Sequence, residues 1–189
     1  MMSQIPNIIT SLRLLLAVPI YFFIYHGNEI IALVLFAVAG LSDWFDGFLA
    51  RKFDWTSSFG KIVDPLADKV LILSTLLALA FSGALPFWLI SALLGRDAII
   101  VMGSLAYLML FEGNSPQPNR WGKHYNGWTI ALFFIVLIQG LYSNAALISF
   151  LNILFQIAVV GVLFFLLMSL TYYFKDQGNQ IYVKLFRND

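Results

Sequence analysis

Six apolar stretches, at residues 8–25, 30–51, 61–82, 86–110, 126–141 and 146–174, leave this chain few folds to choose from. A helix needs about 20 residues to cross the ~30 Å hydrocarbon layer of a bilayer, and a backbone inside that layer must satisfy its own hydrogen bonds. With 60% of its 189 residues hydrophobic, 11% charged and a mean hydropathy of +0.84, the chain lies outside the range of soluble domains. The expected architecture is an all-α integral membrane protein of about six transmembrane helices. It is expected to form a single transmembrane domain over residues 1–189, with no length left for a soluble one. Cysteine is absent, which excludes disulfides and thiol chemistry. The N-terminal region lacks the basic residues and small-residue cleavage site of a secretory signal, so the first apolar run is read as a retained helix.

Basic residues orient these helices. Residues 25–29, 81–87 and 140–146 contain no Lys or Arg, whereas Arg51, Lys52 and Lys61 flank one turn, Arg120 and Lys123 another, and Lys175, Lys184 and Arg187 the tail. Lys and Arg accumulate on the cytoplasmic side, so both termini are expected in the cytoplasm. Residues 112–121, with Gly, Asn, Ser and two Pro, read as a long cytoplasmic connection. The tail over 175–189 suits either the membrane surface or solvent. The formal net charge of +1 identifies no partner, and nucleic acid is not expected among them.

Four aspartates break or border the apolar pattern: Asp43, Asp46, Asp64 and Asp68. A carboxylate near hydrocarbon costs several kcal/mol unless it is paired or bound to metal, so four together point to a functional centre. Asp43, Asp46, Gly47 and Ala50 fall at i, i+3, i+4 and i+7, and Gly60, Asp64 and Asp68 at i, i+4 and i+8, one stripe on each of two helices. A short turn over 53–59 would bring the stripes face to face. Converging carboxylates repel one another unless cations intervene. Mg²⁺ or Mn²⁺, which prefer oxygen ligands, suit the site, and the lack of His and Cys in the stripes argues against zinc. Two such ions would clamp a phosphate during an in-line displacement. Gly47 and Ala50 leave room for a substrate against the helix, while Arg51 and Lys61 add positive charge. From spacing alone, two other readings stay open: a cation or proton transporter, and a structural cluster compensated by Arg51, Lys61 and Lys69. The absence of an internal repeat weighs against the transporter.

Written out, Asp43-Trp-Phe-Asp46-Gly47-Phe-Leu-Ala50-Arg51, eight residues, then Gly60-Lys-Ile-Val-Asp64-Pro-Leu-Ala-Asp68 resembles the signature of the CDP-alcohol phosphotransferase (CDP-alcohol phosphatidyltransferase) family. That signature is D-x-x-D-G-x-x-A-R-x8-G-x-x-x-D-x-x-x-D, and all eight fixed positions are present at the right separations. The resemblance implies transfer of a substituted phosphate from a CDP-linked donor to an alcohol, with release of CMP. It implies that Asp43, Asp46 and Asp64 are metal ligands, and that Asp68 helps to hold the second divalent ion and acts as base toward the acceptor hydroxyl. Gly47, Ala50, Arg51 and Gly60 would border the CDP group. Pro6, Asn7, Thr10 and Arg13 resemble the family's N-terminal P-N-x-x-T-x-x-R pattern, which would place Asn7 near the nucleotide. Without that likeness, Asn7 or Thr10 caps the first helix and Arg13 snorkels to lipid headgroups. The likeness also implies a homodimer, and Gly103, Gly140 and Gly161 are small enough for close helix contact.

The donor expected from the resemblance is CDP-diacylglycerol, in a multi-pass protein of the cell's inner or plasma membrane whose active site faces the cytoplasm. The preferred acceptor is sn-glycerol 3-phosphate, giving phosphatidylglycerophosphate, because the Asp43–Arg51 run with Trp44-Phe45 looks closest to that subfamily. Arg96 lies well inside the fourth span, where an unpaired charge is costly, so it is expected to face the active-site cavity and bind an acceptor phosphate. An Arg96–Asp97 pairing is disfavoured, since consecutive helix residues do not share a face. Gly122-Lys123 looks like the G-K of relatives acting on glycerol phosphates, which makes Lys123 a second acceptor-phosphate contact. Its plainer reading is an interfacial lysine. The alternative acceptor is phosphatidylglycerol, giving cardiolipin, and Arg96-Asp97 favours it, since phosphatidylglycerophosphate synthases tend to carry Arg-Glu there. His124 lacks partners at ligand spacing and reads as an interfacial polar residue.

Overall fold

The computed structural model describes residues 5–53, 60–110 and 119–178, except for the side chains of 5–10, 43–53, 60–66, 110 and 177. Among the described residues there are six α-helices and no strand: α1 (Ile5–Tyr25), α2 (Glu29–Phe53), α3 (Gly60–Phe81), α4 (Phe87–Leu110), α5 (Arg120–Leu141) and α6 (Ala145–Tyr173). A π-helical turn, Phe174–Gly178, follows α6. The apolar stretches and the helices agree to within a turn, except at α5. That helix begins at Arg120 rather than near residue 126, so Trp121 is helical and not part of a loop. The Trp121 N–H donates to Asn119 Oδ1 at 2.9 Å, an N-cap that lets the helix run on through polar residues. Hydropathy reports partition into hydrocarbon, and a capped helix can extend beyond it.

The other junctions are equally local. Gly27, at φ +71°, closes α1 in a left-handed conformation that Gly adopts without strain. Asn144 caps α6, accepting from the N–H groups of Ala146 and Leu147 at 3.0 and 3.3 Å.

Among the described residues, three segments are long and apolar enough to cross a membrane: Phe87–Met109, Arg120–Leu141 and Ala145–Asp176. Only 22%, 33% and 22% of their apolar windows are buried within the protein. Met102, Met109, Val160 and Leu167 are among the large side chains left outside. An apolar surface of that extent requires an apolar solvent, as expected of a membrane protein.

The chain divides into two compact units, Met1–Pro86 with Val136–Ser143, and Phe87–Ile135 with Asn144–Asp189. In the first, α1 packs against α2 and α3. Its buried stripe on α1 is Arg13, Ala17, Ile20 and Ile24, matched by Ala32, Phe36 and Ala39 on α2 and by Ala67, Leu71, Ala78 and Leu79 on α3. In the second, α4 packs against α6, where Arg96 reaches Ser169 and Gly103 faces Tyr173, and Leu89, Leu93, Val162 and Leu166 are buried on the two helices.

The three glycines considered for contact with a second chain are used inside this one. A Cβ at Gly103 would collide with the Tyr173 hydroxyl, one at Gly140 would meet Glu29 Cγ at 2.6 Å, and one at Gly161 would meet the Trp128 ring at 2.5 Å.

Candidate active site

Helical register carries the packing stripes toward the aspartates. On α2 the positions after Ala32, Phe36 and Ala39 in the same register are 43, 46 or 47, and 50, and α2 remains helical through all of them. On α3 the stripe through Leu71 and Ala67 runs back to 64 and 60. The side chains of Asn7, Asp43, Asp46, Gly47, Ala50, Arg51, Gly60 and Asp64 lie outside the described residues. Asp68 is the motif carboxylate whose surroundings are described.

Asp68 Oδ1 accepts a hydrogen bond from Arg13 Nη1 at 2.7 Å, an ion pair between α1 and α3. The Arg13 side chain is 1% exposed and that of Asp68 43%. Arg13 therefore does not snorkel to headgroups. It occupies the α1 stripe that packs inward, one turn before Ala17, and a guanidinium buried there needs a carboxylate partner. The consequence for Asp68 is orientation: the buried guanidinium positions a side chain that is itself 43% exposed. A carboxylate that is positioned but not enclosed fits a hard divalent cation, as does an all-carboxylate motif. Asp43, Asp46 and Asp64 are the residues that would complete such a donor set with Asp68. Among the described residues alone, no three His, Cys, Asp or Glu side chains form a metal-binding group.

The second unit contains its own buried cation. Arg96 Nη1 donates to Asp97 Oδ1 at 2.7 Å and Nη2 to Ser169 Oγ at 2.7 Å, while the guanidinium carbon lies 4.1 Å from the centre of the Tyr125 ring. The pairing with Asp97 overturns the expectation from helix geometry. The rule for consecutive residues concerns Cβ directions, and the long arginine stem lets its head reach back around the helix. Asn119 Nδ2 donates to the Ser169 carbonyl at 3.2 Å, tying the start of α5 to α6. A Cβ at Gly122 would lie 3.3 Å from Arg96 Nη2, so the bare glycine gives the guanidinium its place against α5.

Lys123 occupies a different strip of α5. It lines a shallow pocket of about 320 Å³ with His124, Gly127, Trp128 and Ala131, whereas Arg96 meets the strip of Gly122 and Tyr125. His124 stacks on Phe165 at 5.2 Å between ring centroids, as suits an interfacial aromatic rather than a ligand. Sequence reading missed Ser169 and Tyr125. Ser169 carried a signal in hindsight, being a polar residue on the apolar stripe of α6 at helical spacing from Val162, Leu166 and Tyr173. Tyr125 carried none, because aromatic residues are common throughout the chain.

Comparison with known proteins identifies the family of the chain. A family model described as CDP-alcohol phosphatidyltransferase matches residues 3–174. The chain is 32% identical over 171 residues to a CDP-diacylglycerol--glycerol-3-phosphate 3-phosphatidyltransferase of Aquifex aeolicus (strain VF5), covering 88% of this chain and 91% of that protein. It is 30% identical over 170 residues to a probable phosphatidylglycerophosphate synthase of Mycobacterium tuberculosis, covering 85% of this chain and 79% of that one. A CMP-forming cardiolipin synthase of Streptomyces coelicolor is 37% identical over 126 residues, 63% of this chain and 58% of that protein. The motif aspartates on α2 and α3, the apolar exterior and a match spanning nearly the whole chain agree: the chain belongs to the CDP-alcohol phosphatidyltransferase family, membrane-associated transferases of phospholipid biosynthesis.

Proposed function

We propose that this protein transfers the phosphatidyl group of CDP-diacylglycerol to sn-glycerol 3-phosphate, forming phosphatidylglycerophosphate and releasing CMP. The observation that carries the reading is the Arg13–Asp68 pair, in which a buried cation orients the last motif carboxylate while that side chain stays 43% exposed. The acceptor hydroxyl oxygen bonds to the phosphorus bearing diacylglycerol, its proton passes to Asp68, and the bond from that phosphorus to the CMP oxygen breaks. Asp43, Asp46, Asp64 and Asp68 would hold two Mg²⁺ or Mn²⁺ ions, whose charge when bound neutralises the pyrophosphate and stabilises departing CMP. Gly47, Ala50, Gly60 and Arg51 border the nucleotide with Asn7, and Arg96 and Lys123 are the cations proposed for the acceptor's phosphate.

We further propose that all six helices span the membrane, that both termini and the site are cytoplasmic in the cell's inner or plasma membrane, and that the protein is a homodimer. Two features favour a second acceptor, phosphatidylglycerol: the likeness to the Streptomyces coelicolor cardiolipin synthase and the residue pair Arg96-Asp97 in the sequence, where phosphatidylglycerophosphate synthases tend to carry Arg-Glu. The deciding experiment measures CMP release from CDP-diacylglycerol with Mn²⁺ or Mg²⁺, comparing the two acceptors. Release with glycerol 3-phosphate alone supports the proposal, release with phosphatidylglycerol alone replaces it with cardiolipin synthesis, and release that survives chelation overturns the metal requirement.

A further inference from the structure

The first unit holds a polar feature at the end of α3 remote from Asp68. Asp68 and Phe81 are 13 residues apart on that helix, about 20 Å at ~1.5 Å per residue. At this end a cavity of about 720 Å³ is lined by Tyr25, His26, Ser82 and Gln139, and a second of about 410 Å³ by Asn28, Ile31 and Leu141. Both cavities share Gly27, Glu29 and Gly140.

Glu29 is the unusual member. Its side chain lies on the bare face of Gly140, where a Cβ would meet Cγ at 2.6 Å and Oε1 at 3.0 Å, and a Cβ at Gly27 would stand 3.9 Å from the same oxygen. Among the described residues Glu29 makes no hydrogen bond and no ion pair through its carboxylate. The segments of the first unit at this end, 25–29, 81–86 and 140–143, contain no Lys or Arg to neutralise it. The N-terminus of α2 favours an anion at Glu29, yet a dipole explains neither the cavities nor the glycine cradle.

The walls indicate which cation this carboxylate suits. His26 Nδ1, taken as the protonated nitrogen, donates to the Phe22 carbonyl at 2.8 Å, which fixes the ring. That ring lies 5.4 Å from Tyr25, and Tyr25 stacks on Tyr21 at 6.2 Å. A cavity lined by both a carboxylate and aromatic rings suits an organic ammonium. Among the described residues no three His, Cys, Asp or Glu side chains meet there to hold a metal ion. Exposed Tyr25, Ile30, Ile31 and Phe81 form an apolar rim suited to acyl chains rather than to a free solute.

We propose that this cavity binds the ammonium group of a membrane lipid headgroup, with Glu29 as counter-ion and the Tyr25 and His26 rings against the carbons next to nitrogen. The test is native mass spectrometry of the purified full chain with equal amounts of phosphatidylethanolamine and phosphatidylglycerol. The wild type should retain phosphatidylethanolamine in roughly tenfold excess, the factor that one charge-assisted contact supplies. Glu29→Gln should bring that ratio close to one without lowering the melting temperature, and Tyr25→Leu should reduce it independently. A preference unchanged in both variants overturns the proposal. Displacement of the lipid by an equal concentration of free ethanolamine overturns the lipid source. Stabilisation by Ca²⁺ that Glu29→Gln abolishes, with no lipid preference, overturns the ammonium.

Discussion

Arg13 and Arg96 both sit on helix stripes otherwise built from Ala, Ile and Leu, and the fold balances them in different ways. Their carboxylate partners are equally open, Asp68 at 43% and Asp97 at 40% exposed. Arg13 reaches 55 positions along the chain to a motif residue on another helix, whereas Arg96 pairs with its immediate neighbour and adds Ser169 and the Tyr125 ring. The first pair joins helix packing to the motif, so packing and chemistry change together there. The second is distributed: Ser169 and Tyr125 are neutral, and Asp97 can turn to water, so Arg96 can change partners at modest cost.

The largest effect expected from this contrast is at Asp68. Asp68→Asn should lower CMP release by about 10³-fold, the range of a lost general base, while the protein stays folded. Full activity in that variant would remove Asp68 from the reaction and leave the pair purely structural. Arg13→Ala should cost about 2 kcal/mol in thermal or denaturant stability, since it strips a charged hydrogen bond from a half-exposed carboxylate, and should lower kcat as well. Equal stability losses from Arg13→Ala and Asp68→Ala, with non-additive double substitution, would measure the coupling directly.

Next comes packing in the second unit. Gly103→Ala drives a methyl into the Tyr173 hydroxyl and should destabilise by about 2 kcal/mol, with partial relief from Tyr173→Phe. Ser169→Ala removes one partner of Arg96 and should raise the acceptor KM about threefold to tenfold with kcat nearly unchanged, a split measured by varying glycerol 3-phosphate. An equal fall in kcat would break the contrast, because Arg96 would then be as tightly tied to the chemistry as Arg13. Lys123→Ala should have the smallest effect, about twofold in acceptor KM, since that lysine is exposed on another strip of α5.

Much of the fold was legible because hydropathy and helical period are local properties. The apolar runs matched the helices wherever a helix ends near the end of its apolar segment, and failed at Arg120–Tyr125, where a capped helix continues through Arg, Lys and His. The motif was legible by spacing alone. The burial of Arg13 was not, since an arginine on an apolar stripe near a helix end fits either the core or the lipid interface until neighbouring helices are in place. Arg96 is legible as a costly charge, but its partner is not, because Cβ direction does not limit the reach of a long side chain.

The sequence by itself determined the helices, the need for an apolar solvent, and the aspartate register on α2 and α3, because each follows from backbone geometry and transfer of side chains from water. Only the tertiary structure decided that Arg13 meets Asp68, that Ser169 and Tyr125 share Arg96, and that Glu29 rests on Gly140. These depend on which helix faces which, and at what rotation. That choice is the sum of many small packing contacts along the whole length of each helix, and no single residue encodes it.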